Sequence, residues 1–108
     1  YLAAISLTDR TTNIQDCITA INAAGAHCVL VNAMYGTSAN VANPGLRDYM
    51  LDWWSGYRIT MTGDFTSVDI MAPIISSGYM DSALTQSDNI HPTPAGYELI
   101  GQYIAASI

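Results

Sequence analysis

Residues 11–32 read TTNIQDCITAINAAGAHCVLVN, and this stretch decides the fold class. Thr11, Thr12 and Asn13 supply polar caps. Ile14, Cys17, Ile18 and Ile21 then recur at i, i+3, i+4 and i+7, one apolar stripe. Gly25 stands just past Ala24, where a left-handed C-cap is wanted. The spacing predicts a helix over about Thr12–Ala24. The run Cys28–Asn32 follows, continuous and β-branched rather than alternating, which predicts a strand buried on both faces of a parallel sheet. Helix, glycine turn and buried strand form half of a βαβ unit, so the fold class is α/β.

Downstream, residues 33–44 (AMYGTSANVANP) form a small, polar loop leaving the C-terminal end of that strand. In open α/β sheets this is the edge where ligands bind, which makes Tyr35 a candidate substrate contact. Leu46, Tyr49, Met50 and Trp53 mark a second helix from about Pro44 or Gly45 to Trp54, ended by Ser55-Gly56. Tyr57, Ile59 and Met61 alternate with Arg58, Thr60 and Thr62, the period of a half-buried strand. Gly63-Asp64 reads as a turn, Phe65–Ile70 as a short strand or loop, and Met71–Leu84 as irregular chain with a short helical turn. Thr93 is an N-cap and Pro94 the first residue of a helix over about Pro94–Ser107, with Tyr97, Ile100, Gly101, Ile104 and Ile108 on one face. The aromatic residues Tyr49, Trp53, Trp54 and Tyr57 have helical spacing, which favours core packing over a sugar-stacking platform.

The 108 residues are the length of one domain, and 50% are hydrophobic, enough for a packed core. Three basic residues stand against nine acidic ones, giving a net charge of -6, and lysine is absent. Such a chain cannot neutralise a row of phosphates, so nucleic acid is excluded as a partner, as is docking to anionic membrane through a basic patch. No apolar run reaches the ~18 residues of a membrane span. The chain opens at Tyr1 rather than at methionine, so its start is expected to be cut or to lie in a longer parent. Cys17 and Cys28 match no zinc pattern and read as two small buried hydrophobes; a single bridge between them stays open if the parent is secreted.

Two histidines remain as chemical candidates. His27, between a helix cap and a strand, reads as structural or surface. His91 lies in Ser87-Asp88-Asn89-Ile90-His91-Pro92-Thr93-Pro94-Ala95-Gly96-Tyr97. Residues before proline are pushed out of the helical region, so His91 and Thr93 hold an extended, stiff backbone up to the helix start. Asp88, three residues earlier, can accept the Nδ1–H of the ring, fix its tautomer and leave Nε2 free as a base. This is the base-plus-orienter half of a nucleophile triad. Too few ligands lie nearby for a metal. None of Ser6, Ser38, Ser76, Ser77 and Ser87 sits in a strand-to-helix elbow that would expose a nucleophile. Asp64, Asp69 and Asp81 read as turn formers and surface charges.

Asp88-x-x-His91-Pro92, followed by Gly96-Tyr97 and an apolar helix, resembles the last conserved block of the SGNH (GDSL-type) hydrolases. The upstream order of elements is similar over nearly the whole chain. The resemblance implies a flavodoxin-like three-layer α/β/α fold with a parallel sheet, of which residues 1–108 are the C-terminal portion. It also implies serine esterase activity with His91 and Asp88 as catalytic residues, and no cofactor. The family's Gly-Asp-Ser motif and Gly-x-Asn-Asp motif do not occur here, and Gly63-Asp64 is followed by Phe65. The nucleophile and oxyanion donors are therefore expected from an N-terminal half, supplied as a separate or cleaved chain that pairs along the Cys28–Asn32 strand. The ester substrate is a small molecule, a lipid or an acetylated glycan. The second expectation is a non-catalytic glycan-binding module of a cell-surface or phage tail protein. The low charge and the wealth of Ser, Thr and Asn suit an extracellular or virion setting.

Overall fold

The computed structural model describes residues 5–40 and 45–108. The first helix, α1, spans Leu7–Ala23 and starts earlier than the polar caps suggest. Ser6 is the N-cap, its side chain accepting from the Asp9 N–H at 3.0 Å. Thr11 and Thr12 are absorbed into the helix, their hydroxyls donating back to the carbonyls of Leu7 and Thr8. Gly25 takes the expected left-handed conformation past the helix end, with φ +81°. The apolar stripe is narrower than its spacing implies: Ile18 is buried, whereas Ile21 and Cys17 are exposed. Both cysteines are free, so the expectation of two buried ones holds for Cys28 alone.

Strand β1 spans Cys28–Val31 and pairs in parallel with β2, Phe65–Val68, in the register Cys28 to Phe65 through Val31 to Val68. β1 contributes to one core and β2 to two. Cys28, Leu30 and Phe65 pack with Ile18 of α1, Trp53 and Met61. Val68, on the other face from Phe65 by the two-residue period, packs with Ile70, Ile74 and Ile100. The expectation that β1 is covered on both faces fails at Val29 and Val31, which are 37% and 41% exposed. Their side chains stand on the face opposite Cys28 and Leu30, and neither is among the residues packed into the core on that side. The edge of β1 away from β2 carries no strand among the described residues.

Helix α2 spans Leu46–Asp52. Ser55-Gly56 does not end the helical path. The chain widens into a π-turn over Trp53–Tyr57 and tightens into a 3₁₀ turn over Arg58–Thr60. The alternating residues Tyr57, Ile59 and Met61 are thus not a strand. Arg58 holds the helical path by donating from Nε to the Trp54 carbonyl at 2.9 Å while its guanidinium stacks on the Trp54 ring. Trp53 is buried and donates to the Thr11 hydroxyl, so this aromatic group does serve the core. Pro44, the earlier of the two starts considered for this helix, lies outside the described residues, as do positions 41–43 of the preceding loop.

Residues 71–84 are more ordered than their composition suggests. Two 3₁₀ turns, Ala72–Ile74 and Ser82–Leu84, flank a hairpin of β3, Ile75–Ser76, and β4, Tyr79–Met80. Its turn residues Ser77 and Gly78 both have positive φ, the backbone twist that two-residue hairpins require. Helix α3 covers Pro94–Ser107 as expected, and the Thr93 hydroxyl caps it by accepting from the Gly96 N–H. Its packed residues are Gly96, Ile100 and the half-buried Ile104; Tyr97, Gly101 and Ile108 are exposed. Gly96 is needed there because a Cβ would stand 2.7 Å from the Leu84 carbonyl. No helix among the described residues is long and apolar enough to cross a membrane.

Candidate active site

The Asp88–His91 turn is built by one carboxylate. Asp88 Oδ1 accepts the backbone N–H groups of Ile90 and His91, each at 3.0 Å, and Oδ2 accepts from His91 Nδ1 at 2.5 Å. The residue inside the turn, Asn89, has φ +64°, a left-handed conformation that asparagine tolerates better than most side chains. The backbone donors of His91 and Ile90, then the ring itself, hold the Asp88 carboxyl down to about 2. A carboxylate ionised at neutral pH only accepts, so Nδ1 must carry the proton and Nε2 of the neutral ring is a lone-pair acceptor. His91 is 58% exposed, and Nε2 has no hydrogen-bond partner among the described residues.

The turn is anchored rather than loose. The Asn89 carbonyl accepts the Thr37 N–H at 2.9 Å, and the Thr37 hydroxyl donates to Asn89 Oδ1 at 3.2 Å. Thr37 belongs to the loop that leaves the C-terminal end of β1, so the structure joins the two loops from which sequence drew its candidates. The junction depends on Gly36, whose φ is +95° and whose absent Cβ would lie 2.6 Å from the Asn89 carbonyl. Behind His91, the Gln86 N–H donates to the His91 carbonyl and a single antiparallel bridge joins Thr85 to Pro92.

Tyr35 lies in the same loop but is not a surface contact: it is 3% exposed, and its hydroxyl has no hydrogen-bond partner among the described residues. Burial chiefly raises its pKa. The ring lines a cavity of about 160 Å³ together with Thr37, Arg47 and Tyr79. The serines fall in varied places. Ser6 caps α1, Ser38 lines this cavity, Ser76 and Ser77 are in the hairpin, and Ser87 is exposed. None is bonded to His91.

Sequence reasoning missed a second oriented imidazole. His27 Nδ1 donates to Asp64 Oδ1 at 2.7 Å, and its Nε2 meets the Thr66 hydroxyl at 2.8 Å. The Thr37–Asn89 anchor was missed as well. The one available signal was Asp88-Asn89, since asparagine after an aspartate is a frequent left-handed turn residue. Among the described residues no group of three His, Cys, Asp or Glu side chains is placed to hold a metal ion. No protein-family model, curated protein or solved structure matches the chain.

Proposed function

We propose that this chain supplies the Asp–His part of a Ser–His–Asp triad in an SGNH-type serine esterase, and that it forms the C-terminal portion of that flavodoxin-like α/β/α domain. One observation carries the reading. Asp88 spends both oxygens on holding the turn and the Nδ1 side of His91, and Nε2 has no hydrogen-bond partner among the described residues. Helices on both sides of a parallel strand pair add support.

In the proposed reaction a serine oxygen attacks the ester carbonyl carbon while Nε2 takes the hydroxyl proton. Asp88 stabilises the imidazolium so formed. Collapse of the tetrahedral intermediate breaks the bond to the leaving alkoxide, which takes the proton from Nε2. Water repeats the cycle on the acyl-serine and returns the free carboxylic acid. No serine of this chain is bonded to Nε2, so the nucleophile and the oxyanion donors come from another segment. The edge of β1 that carries no strand among the described residues is where a strand of that segment would pair.

The test is to purify the native protein and measure its intact mass for a co-purifying polypeptide, then follow hydrolysis of p-nitrophenyl acetate. A second polypeptide with turnover that His91→Ala removes supports the proposal. Undiminished turnover in His91→Ala refutes it.

A further inference from the structure

A base is only as well placed as the backbone that carries it, and the backbone ahead of His91 turns on one peptide unit, Asn89 to Ile90. The N–H of that unit donates to Asp88 Oδ1 at 3.0 Å, and its carbonyl accepts the Thr37 N–H at 2.9 Å. A peptide unit is planar and moves as one piece, so the plane is held from two distant parts of the chain. Asp88 Oδ1 also accepts the His91 N–H, while Oδ2 takes Nδ1 of the ring. A swing of the Asn89–Ile90 plane therefore disturbs the carboxylate that sets the tautomer. Asn89 needs such a restraint, because its φ of +64° is disfavoured for a residue with a side chain.

Thr37 adds a second contact to the same residue. Its hydroxyl donates to Asn89 Oδ1 at 3.2 Å and accepts the Ala39 N–H at 3.2 Å, so the group is used as donor and as acceptor. Thr37 is 5% exposed, a burial at which a polar side chain is kept for the bonds it makes. The anchor is itself fixed. The Gly36 carbonyl accepts the Met80 N–H, and the Gly36 N–H donates to Met80 Sδ, both at 3.1 Å. At the start of the same loop, Asn32 donates to Asp69 Oδ1 at 2.6 Å and accepts the Ile70 N–H at 2.8 Å. The loop is thus tied at one end to the residues just past β2 and at the other to β4, and Thr37 meets Asn89 from a fixed support.

We infer that Thr37 is a positioning residue for the His91 base, holding through Asn89 the turn that keeps the proton on Nδ1 and the lone pair on Nε2. The ring geometry is a property of this chain; its use in turnover rests on the esterase reading. The experiment is ¹⁵N NMR of the His91 ring in the native protein, at a pH where the ring is neutral, with ester turnover measured on the same samples. Thr37→Val removes the hydroxyl and keeps the shape and the backbone N–H. Asn89→Gly removes the acceptor and takes positive φ without strain. Each is expected to mix the two neutral tautomers, seen as converging Nδ1 and Nε2 shifts, and to speed Ile90 amide exchange. Each is also expected to lower kcat about tenfold with KM within about twofold. Thr37→Ser is expected to restore all of these. The double variant is expected to go no further than either single one, because both remove the same bond. Thr11→Val makes the same hydroxyl-to-methyl change at the Trp53 Nε1 contact, and is expected to lower the melting temperature and leave the His91 ring unaltered. An unchanged tautomer and unchanged Ile90 exchange in both single variants overturn the inference. So do effects that add fully in the double variant, or a ring that responds equally to Thr11→Val. Shifted tautomers in a native protein that shows no ester turnover overturn the esterase reading, while Thr37 remains the residue that positions the ring.

Discussion

His91 and His27 are both imidazoles steered by a carboxylate, at 2.5 Å from Asp88 and 2.7 Å from Asp64. By the geometry of the pair alone they are equivalent. They differ in what the second nitrogen meets. At His27 it is spent on the Thr66 hydroxyl, which ties the entry of β1 to the neighbouring strand. At His91 it meets no hydrogen-bond partner among the described residues, and the turn that carries it is fastened through Asn89 to the loop that leaves β1. An oriented base is therefore a common structural device. What singles out one of them is a second nitrogen with no hydrogen-bond partner among the described residues.

The comparison breaks most visibly under substitution. His91→Ala is expected to lower ester kcat/KM of the native protein by roughly a thousandfold or more, and His27→Ala to leave it within about twofold. Equal losses would mean that both rings serve only the fold. Asp88→Asn follows, with an expected loss on the order of a hundredfold or more, because an amide permits the wrong tautomer. Asp64→Asn is expected to leave turnover unchanged and to alter only the melting temperature. Gly36→Ala probes the anchor. A side chain at φ +95° that also meets the Asn89 carbonyl is expected to cost about 1–3 kcal/mol in denaturant unfolding, and to lower turnover without changing the His27 corner.

The smallest effect is in the acid limb. The Asp88 carboxyl, at about 2 in the folded chain, lies below the ~3.9 of a free aspartate. A depressed carboxyl stabilises the fold above its unfolded value, and that contribution is lost as the pH falls from about 4 toward about 2. Carboxyl ¹³C NMR is expected to place the Asp88 midpoint near 2, and Asp88→Ala to flatten that part of the pH–stability curve. A midpoint near 4 would mean that the two backbone N–H bonds are not held in solution.

The two sides of this comparison were not equally legible in the sequence. Asp88, His91, Thr93 and Pro94 lie within seven positions, and their chemistry is local: a turn carboxylate, two proline restraints and a capped helix. They were readable because each constraint acts on its neighbours. The β1 strand and α3 were readable for the same reason, by period and cap. His27, Asp64 and Thr66 are brought together only by the parallel register of β1 and β2, which spacing along the chain does not encode. The helix boundary at Ser6 was hidden because Thr11, Thr12 and Asn13 offer equally good caps further on. The Tyr57–Met61 segment misled because three alternating residues fit a strand, while the Arg58–Trp54 contacts that keep it helical are one turn apart. Tyr35 was placed in the correct loop, but burial of its ring depends on the hairpin and on Arg47, both remote in sequence.

The central claim is that Nε2 of His91 activates a serine supplied by another segment. Labelling of the native protein with a fluorophosphonate, read by intact mass, tests it most directly. The account predicts one adduct, on a serine outside these 108 residues, and its loss in His91→Ala with retention in His27→Ala. Absence of any adduct on the active preparation, or an adduct that persists in His91→Ala, contradicts it.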